Sequence, residues 1–263
     1  MKHHIKYYLK VNLLRLKSMT FYTKSFFLEL ITDIISIVIA LLFYQILYLN
    51  IGEGLGIPIA DLFILVLSVK LTGDLYNLLF ASGVHSLAGH IQYGTLDNIL
   101  IKPLNLFFNL FCSSINWRSL VNLGIDAILF IILISQYSIE ITAFALFNFL
   151  IVICLATTVF TSFNILIYLG SIVFVRLDAF ASLISSFFSL STFPAAIFKS
   201  AYLKWFFIYI IPVLIIGNFP LLALKGMQSV RLYLIIVICV ALFTSLAYIG
   251  TMKILKHYKS ASS

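Results

Sequence analysis

The sequence predicts an all-α polytopic membrane protein: six transmembrane helices, an N-terminal amphipathic interfacial helix, and a re-entrant helical pair before the last span. Three observations carry this. Of the 263 residues, 62% are hydrophobic and only 10% are charged, against ~25% charged in a soluble domain, and the mean hydropathy is +1.12. Apolar stretches longer than the core of a signal peptide recur along the whole chain. The charge excess, 17 basic against 9 acidic residues, is gathered at the two ends. A soluble enzyme, a secreted disulfide scaffold and a disordered chain are thereby excluded.

Residues 1–24 hold Lys2, Lys6, Lys10, Arg15, Lys17 and Lys24 with no acid, and residues 253–263 hold Lys253, Lys256 and Lys259, again with none. Positive charge stays on the cytoplasmic side of a membrane protein, so both termini are expected there and the number of full crossings is even. A basic run flanking a span is a topology signal, and no nucleic-acid partner is expected. Within 1–24, Ile5, Leu9, Leu13, Leu16 and Phe21 recur near helical spacing, which predicts a helix lying on the inner leaflet.

A crossing needs about 20 mostly apolar residues. The rest of the chain, 25–263, is read as one six-span transmembrane domain. The first span is predicted from Phe26 to Leu49, with Glu29 and Asp33 on one face near its cytoplasmic end. The glycine-rich stretch Asn50–Pro58 has no Lys or Arg and suits an outer loop. The second span, Ile59–Phe80, carries Lys70 and Asp74 at i, i+4. Residues 84–105 then break the apolar pattern with His85, His90, Gln92, Asp97, Asn98 and Lys102, and form a cytoplasmic segment. The third span carries Arg118 and Asp126 and ends near Gln136; its start is open, because Leu104–Phe111 is apolar too. After a turn at Ser138–Glu140, the 35 positions from Ile141 to Val175 hold no charge and predict a long fourth span. Arg176 and Asp178 mark an inner turn before a short fifth span, Ala179–Phe193.

Residues 194–226 are apolar enough to suggest a crossing, yet Pro194, Pro212, Asn218 and Pro220 interrupt them. Proline removes a helix hydrogen bond, and the bilayer supplies no substitute. A full crossing here would also make seven and put the C-terminal lysines outside. Both arguments predict two short helices that enter and leave at the outer face, in front of a last span from Ser229 to Lys253. The cost is that Lys199, Lys204, Lys225 and Arg231 fall on the outside, softened by snorkelling.

The chain shows no Walker A pattern; its glycine cluster Gly52–Gly56 lacks the following Lys-Ser/Thr. It also lacks H-E-x-x-H, G-x-S-x-G and C-x-x-C, and Cys112, Cys154 and Cys239 have no metal-like spacing. No enzyme activity, metal or cofactor is therefore expected in this chain. The intramembrane charges Lys70, Asp74, Arg118 and Asp126 are the remaining chemistry. Lys70 and Asp74 can neutralise each other on one helix face, or they can belong to a substrate or proton path. Arg118 and Asp126, two turns apart, must each face another helix or a partner subunit.

The strongest local pattern is His90-Ile91-Gln92-Tyr93-Gly94-Thr95-Leu96-Asp97-Asn98-Ile99-Leu100-Ile101-Lys102-Pro103-Leu104-Asn105. Gly94 lets the chain turn, Thr95 or Asp97 can cap a short helix, Leu96, Ile99 and Leu100 are apolar knobs, and Pro103 stops it. The string resembles the cytoplasmic signature of membrane subunits of ATP-binding-cassette (ABC) exporters. The class is the type-two permeases, in their small six-span branch with a G-x-L-D-x-L-L-x-K-P-x-N pattern. Phe193-Pro194, Ile197-Phe198, Ile211-Pro212, Asn218 and Pro220 resemble a second block of that branch in the same order, with Phe193 and Phe219 where tyrosines are usual.

The resemblance implies a permease that moves an amphipathic or hydrophobic cargo outward by alternating access. It implies a pore of two such subunits, identical or paralogous, in a bacterial cytoplasmic membrane. Two ABC ATPase subunits would bind ATP and Mg²⁺ on its behalf. Residues 90–103 would be the coupling element received by the ATPase, and 194–226 an extracellular gate. The cargo-contacting residues of the branch follow no fixed motif. Two other classes compete: a proton-coupled secondary transporter using Asp74 or Asp126, and a non-transporting membrane partner or immunity protein.

Overall fold

The computed structural model describes residues 10, 12–14, 16–17, 23–55, 57–92, 96–97, 101, 106–111, 115–174, 177–227 and 229–257. Among these residues every regular element is a helix. In chain order they are α1 (Thr23–Leu55), α2 (Ile59–Tyr76), a π-helical segment Asn77–Ala81, α3 (Ser82–Gln92), α4 (Leu106–Phe111), α5 (Trp117–Gln136) and α6 (Ala143–Phe174). Then come α7 (Leu177–Leu190), a 3₁₀ turn Ala195–Ile197, α8 (Ala201–Tyr209), α9 (Val213–Leu224) and α10 (Val230–His257). Five stretches are long and apolar enough to cross a bilayer: Phe26–Asn50, Ile59–Leu87, Trp117–Gln136, Ala143–Gly170 and Val230–Lys256.

Side-chain pairs fix the direction of each helix. Asn148 with Tyr233 and Phe163 with Phe243 set α6 and α10 parallel, and Tyr76 on Phe160 joins α2 to them. Phe63 against Tyr137 sets α5 antiparallel to α2, and Phe160 against Phe188 sets α7 antiparallel to α6. The N-terminal segment docks where α5 begins: the Ile115 N–H donates to Asn12 Oδ1 at 2.8 Å, and the Trp117 indole donates to the Asn12 carbonyl at 2.9 Å. The end of α10, with Lys253 and Lys256, lies on that same side. We call this the terminal face, and the side where α2, α6 and α10 begin the opposite face. Asn12 and the end of α10 lying at one face is what an even number of crossings between them requires. The described N-terminal residues are helical; Leu13 and Leu16 are exposed, as an interfacial helix demands, while Asn12 is buried as its anchor.

Several boundaries differ from expectation. The stretch read as an outer loop, Asn50–Pro58, is helical through Leu55. A helix already running absorbs an isolated glycine for about 1 kcal/mol, less than the cost of orphaned carbonyls in an apolar setting. The second span continues to Leu87, and its helix to Gln92, because Val84 and Leu87 are buried. His85, read as part of the polar segment, therefore belongs to the end of this span, within 3.4 Å of the Tyr76 hydroxyl. The apolar run before the third span is a separate short helix, α4, and the span proper starts at Trp117, capped by Asn116, whose side chain accepts from the Arg118 N–H.

The stretch read as a fifth crossing is only partly helical. At ~1.5 Å per residue, the 14 residues of α7 reach about 21 Å, short of the ~30 Å hydrocarbon layer. Residues 191–194 carry the chain onward: the Tyr44 hydroxyl donates to Thr192 Oγ1 at 2.8 Å, and Pro194 lies with Asp61 around one small cavity near the start of α2. Non-helical backbone at this depth is viable where protein satisfies it. Asn218 does so, accepting from the Ala195 N–H at 2.7 Å and donating to the Phe193 carbonyl at 3.1 Å.

Candidate functional site

The re-entrant pair is α8 and α9, bent 98° from each other. Its entry, Pro194–Ala196, and its exit, Lys225 and Met227, line the same cavity with Asp61 at the opposite face. Lys225 Nζ lies 2.6 Å from Asp61 Oδ2. The deep end is marked by Ile208, whose carbonyl accepts from the Cys239 thiol at 3.7 Å. Cys239 is nine residues into α10, so the bend reaches roughly 14 Å below the opposite face, about half the layer. Lys225 is thus neutralised where it stands, which lowers the cost of a positive charge at this face.

Within the pair, Pro212 stands at the N-cap of α9 and the backbone turns sharply before it, the Val213 N–H donating to the Ile211 carbonyl at 2.6 Å. Pro220, expected to end a helix, instead sits inside α9, where close packing by neighbouring helices supports the broken ladder. The end of α9 is built by Gly226 at φ +67°, with Gly226 N–H on Ala223 O and Met227 N–H on Leu222 O, the paired bonds of a Schellman cap. Gly217 lets α9 approach its neighbours: a Cβ there would lie 2.5 Å from the Ser191 carbonyl oxygen and 2.8 Å from Val69. Of the predicted residues, Pro194 and Asn218 come together at the entry, while Pro212 and Pro220 are on α9 itself.

The intramembrane charges form a wider cluster than a self-contained pair. Lys70 Nζ is 3.4 Å from Asp74 Oδ2 on its own helix and 3.5 Å from Asp33 Oδ1 on α1. Asn122 of α5 donates to the other Asp33 oxygen. Asp126, one turn further along α5, is fully buried against Asp74, Lys70 and Asp33, its carboxyl within hydrogen-bonding reach of that of Asp74. Arg118, Asn122 and Asp126 therefore stripe one face of α5 at i, i+4 and i+8. Asp33 and Asn122 were missed as members. Asp33 had been noted only beside Glu29, and Asn122 was legible as the polar residue midway between two charges on one face.

Only part of the segment predicted to couple lies within the described residues: His90, Ile91, Gln92, Leu96, Asp97 and Ile101. Tyr93, Gly94, Thr95, Ile99, Leu100, Lys102 and Pro103 lie outside them. The helix α3 delivers the segment directly from the second span. The Leu96 N–H donates to His90 O at 3.2 Å, and the Ile101 N–H donates to Asp97 O at 3.1 Å, closing a helical turn. Leu96, expected as an exposed knob, is fully buried in the chain's own core, whereas Ile101 is 79% exposed. A leucine that completes the core anchors the segment, and among the described residues of the segment the apolar side chain offered outward is Ile101.

Taken together, the described geometry is a multi-pass helical bundle with a half-depth helical pair at one face and an anchored turn at the other. Searches of curated proteins and of solved structures each found no match. The family model described as ABC-2 family transporter protein matches residues 34–262. With nearly the whole chain matched, the protein belongs to the ABC-2 transporter family, as a membrane-spanning permease component that works with ABC ATPase partners.

Proposed function

We propose that this chain is one half of an exporter: two six-span subunits, identical or paralogous, form the pore, and two ABC ATPases dock at the terminal face, which is cytoplasmic. The membrane is a bacterial cytoplasmic membrane. The observation that supports this best is the turn at residues 96–101. Leu96 is locked into the core, its N–H bonded to the carbonyl of His90 near the end of α3, while Ile101 projects outward. A push on such a turn is transmitted along α3 and α2 rather than absorbed by a slack loop. No nucleotide-binding pattern occurs in the sequence, so the energy source is a partner.

In this mechanism, ATP-driven closure of the ATPase pair displaces residues 90–103 and rocks α2. Helix α9 packs on α2 through Gly217, Val69 and the Lys225–Asp61 pair, so the re-entrant pair shifts with it and opens the opposite face. The pair is the gate, and the cargo is amphipathic or hydrophobic. The apolar flank of α1, exposed from Phe27 to Leu49, faces lipid or the second subunit.

The test is docking. Ile101→Glu places a charge on the exposed apolar contact and should leave the subunit folded and membrane-inserted. Its co-purification with the ATPase should fall at least tenfold, since losing a central anchor costs about 2 kcal/mol. Unchanged association would remove the coupling role from this turn. A second reading, a proton-coupled carrier, is favoured by one observation: Asp126 is a fully buried carboxyl that meets the carboxyl of Asp74, with that of Asp33 nearby. It requires transport without an ATPase and loss of transport in Asp126→Asn.

A further inference from the structure

A cavity of about 530 Å³ lies between the π-helical segment, α4, α6 and α10, away from both the gate and the charge cluster. Its volume falls in the range of small-molecule sites, about 300–1,000 Å³. The walls are held in place by specific features. A Cβ on Gly83 would lie 2.3 Å from the Leu110 carbonyl oxygen, so α3 and α4 touch backbone to backbone, and this close contact sets Phe111 into the cavity wall. The π-helical turn carries Phe80 to the same wall, and its Leu78 carbonyl is satisfied by the Asn116 N–H at 3.0 Å.

The polar part of the wall has a definite hydrogen-bonding sense. Thr161 donates to Thr157 O at 2.8 Å, Ser162 to Thr158 O at 2.9 Å, and Thr244 to Val240 O at 2.6 Å. Each hydroxyl has one proton and two lone pairs. With the protons committed to their own helices, these three groups offer acceptors to a ligand, while the hydroxyls of Ser245 and Tyr248 on the same wall can also donate. The remaining wall is largely aromatic, including Phe80, Phe111 and Tyr248, whose ring faces are electron-rich and also favour donors. No charged side chain lines the cavity. Its rim includes Tyr248 and Ile249, each more than half exposed on the flank of a bilayer-crossing helix.

We propose that this cavity binds an uncharged molecule with an apolar body and a hydrogen-bond-donating head, such as a primary amide or alcohol, entering sideways from the bilayer. A carboxylate or other anion is disfavoured, because no charged side chain lines the cavity to pair with a buried charge. That such a molecule is cargo rests on the permease reading above; that it binds does not.

The experiment uses the full chain alone in lipid nanodiscs, without ATPase or ATP, so its outcome is separable from that of the docking test. Two photoreactive probes are compared: a diazirine-bearing dodecanamide, and its N,N-dimethyl counterpart with the same carbonyl and no donor. The primary amide should label α6 and α10 about tenfold more than the dimethyl amide, as expected for two hydrogen bonds of neutral groups. The double variant Thr161→Val with Thr244→Val, which removes acceptors while keeping shape, should abolish that preference. Ile165→Trp, which fills the cavity, should suppress both probes. Equal labelling by the two probes in the unaltered chain, or a preference that survives in the double variant, would overturn the proposal.

Discussion

Helices α9 and α1 are built from nearly the same apolar residues, yet they end in opposite surroundings. Eleven of the twelve residues of α9 are buried, all but Leu222, whereas only 6% of the most apolar stretch of α1 is buried. In water both apolar faces would have to be buried. In a bilayer, lipid satisfies apolar side chains as well as protein does, so helix contacts are selected by small residues that allow close approach and by polar residues that need partners. In α9 these are Gly217, against the Ser191 carbonyl, and Asn218, bridging Phe193 and Ala195. In α1 they are Asp33 and Tyr44, which bond to Lys70 and Thr192, while Ile35, Ile39 and Leu42 between them and Ile46 beyond stay exposed.

If that contrast is right, the polar bridge in α9 carries the largest single effect. Asn218→Leu keeps the volume roughly constant but strands the Ala195 N–H and Phe193 carbonyl in a buried setting. At about 1–3 kcal/mol for each unsatisfied group, the variant should lose several kcal/mol in denaturant titrations in detergent, and the 191–197 turn should become protease-sensitive. A stability within experimental error of the parent would show that the re-entrant entry is held by apolar packing instead.

The next effect is in the charge cluster. Lys70→Met leaves Asp33 and Asp74 without their shared cation. Breaking a buried pair costs about 3–5 kcal/mol; with Lys70 22% exposed, a value at or just below the low end is expected. Adding Asp74→Leu and Asp33→Asn should recover most of it, because the loss comes from uncompensated charge rather than from shape. No recovery would mean that Lys70 matters through its packing.

The smallest effect sharpens the other side of the comparison. Ile39→Ala in α1 removes as many methyl groups as a damaging core substitution would, but from a side chain 60% exposed to the surroundings. Subunit stability should change by no more than about 0.5 kcal/mol, measured by the same titration. A core-sized loss would place α1 in a protein interior that the single subunit does not contain.

The same contrast explains what was legible in the sequence. Composition and apolar run length report residence in the bilayer, and they located the crossings, the basic ends and the interrupted segment before α10. They do not report which neighbours a helix meets. Hence Lys70 and Asp74 were read as a pair on one helix, while Asp33 and Asn122, supplied by two other helices, were not seen to complete the cluster. The same blindness applies to Asn12, whose two bonds to Ile115 and Trp117 span more than a hundred residues of chain. In the coupling segment, local pattern identified a capped turn but not its orientation, because both Leu96 and Ile101 are apolar and only tertiary packing decides which one is covered. Pro220 shows the limit of a propensity rule: proline ends an isolated helix, but not one enclosed by α2 and α6.

The central claim is that a partner's ATP cycle reaches the opposite face through residues 90–103 and α2. The most direct measurement is maleimide labelling of Leu222→Cys, a half-buried position at the opposite-face cavity, in nanodiscs containing the subunits and their ATPase. Native Cys112, Cys154 and Cys239 are replaced by Ser or Ala beforehand. Trapping the ATPase with ATP and vanadate should increase the labelling rate, and Ile101→Glu should abolish the increase while leaving the basal rate unchanged. A labelling rate indifferent to ATP, or one that follows pH without the ATPase and is lost in Asp126→Asn, would contradict the account.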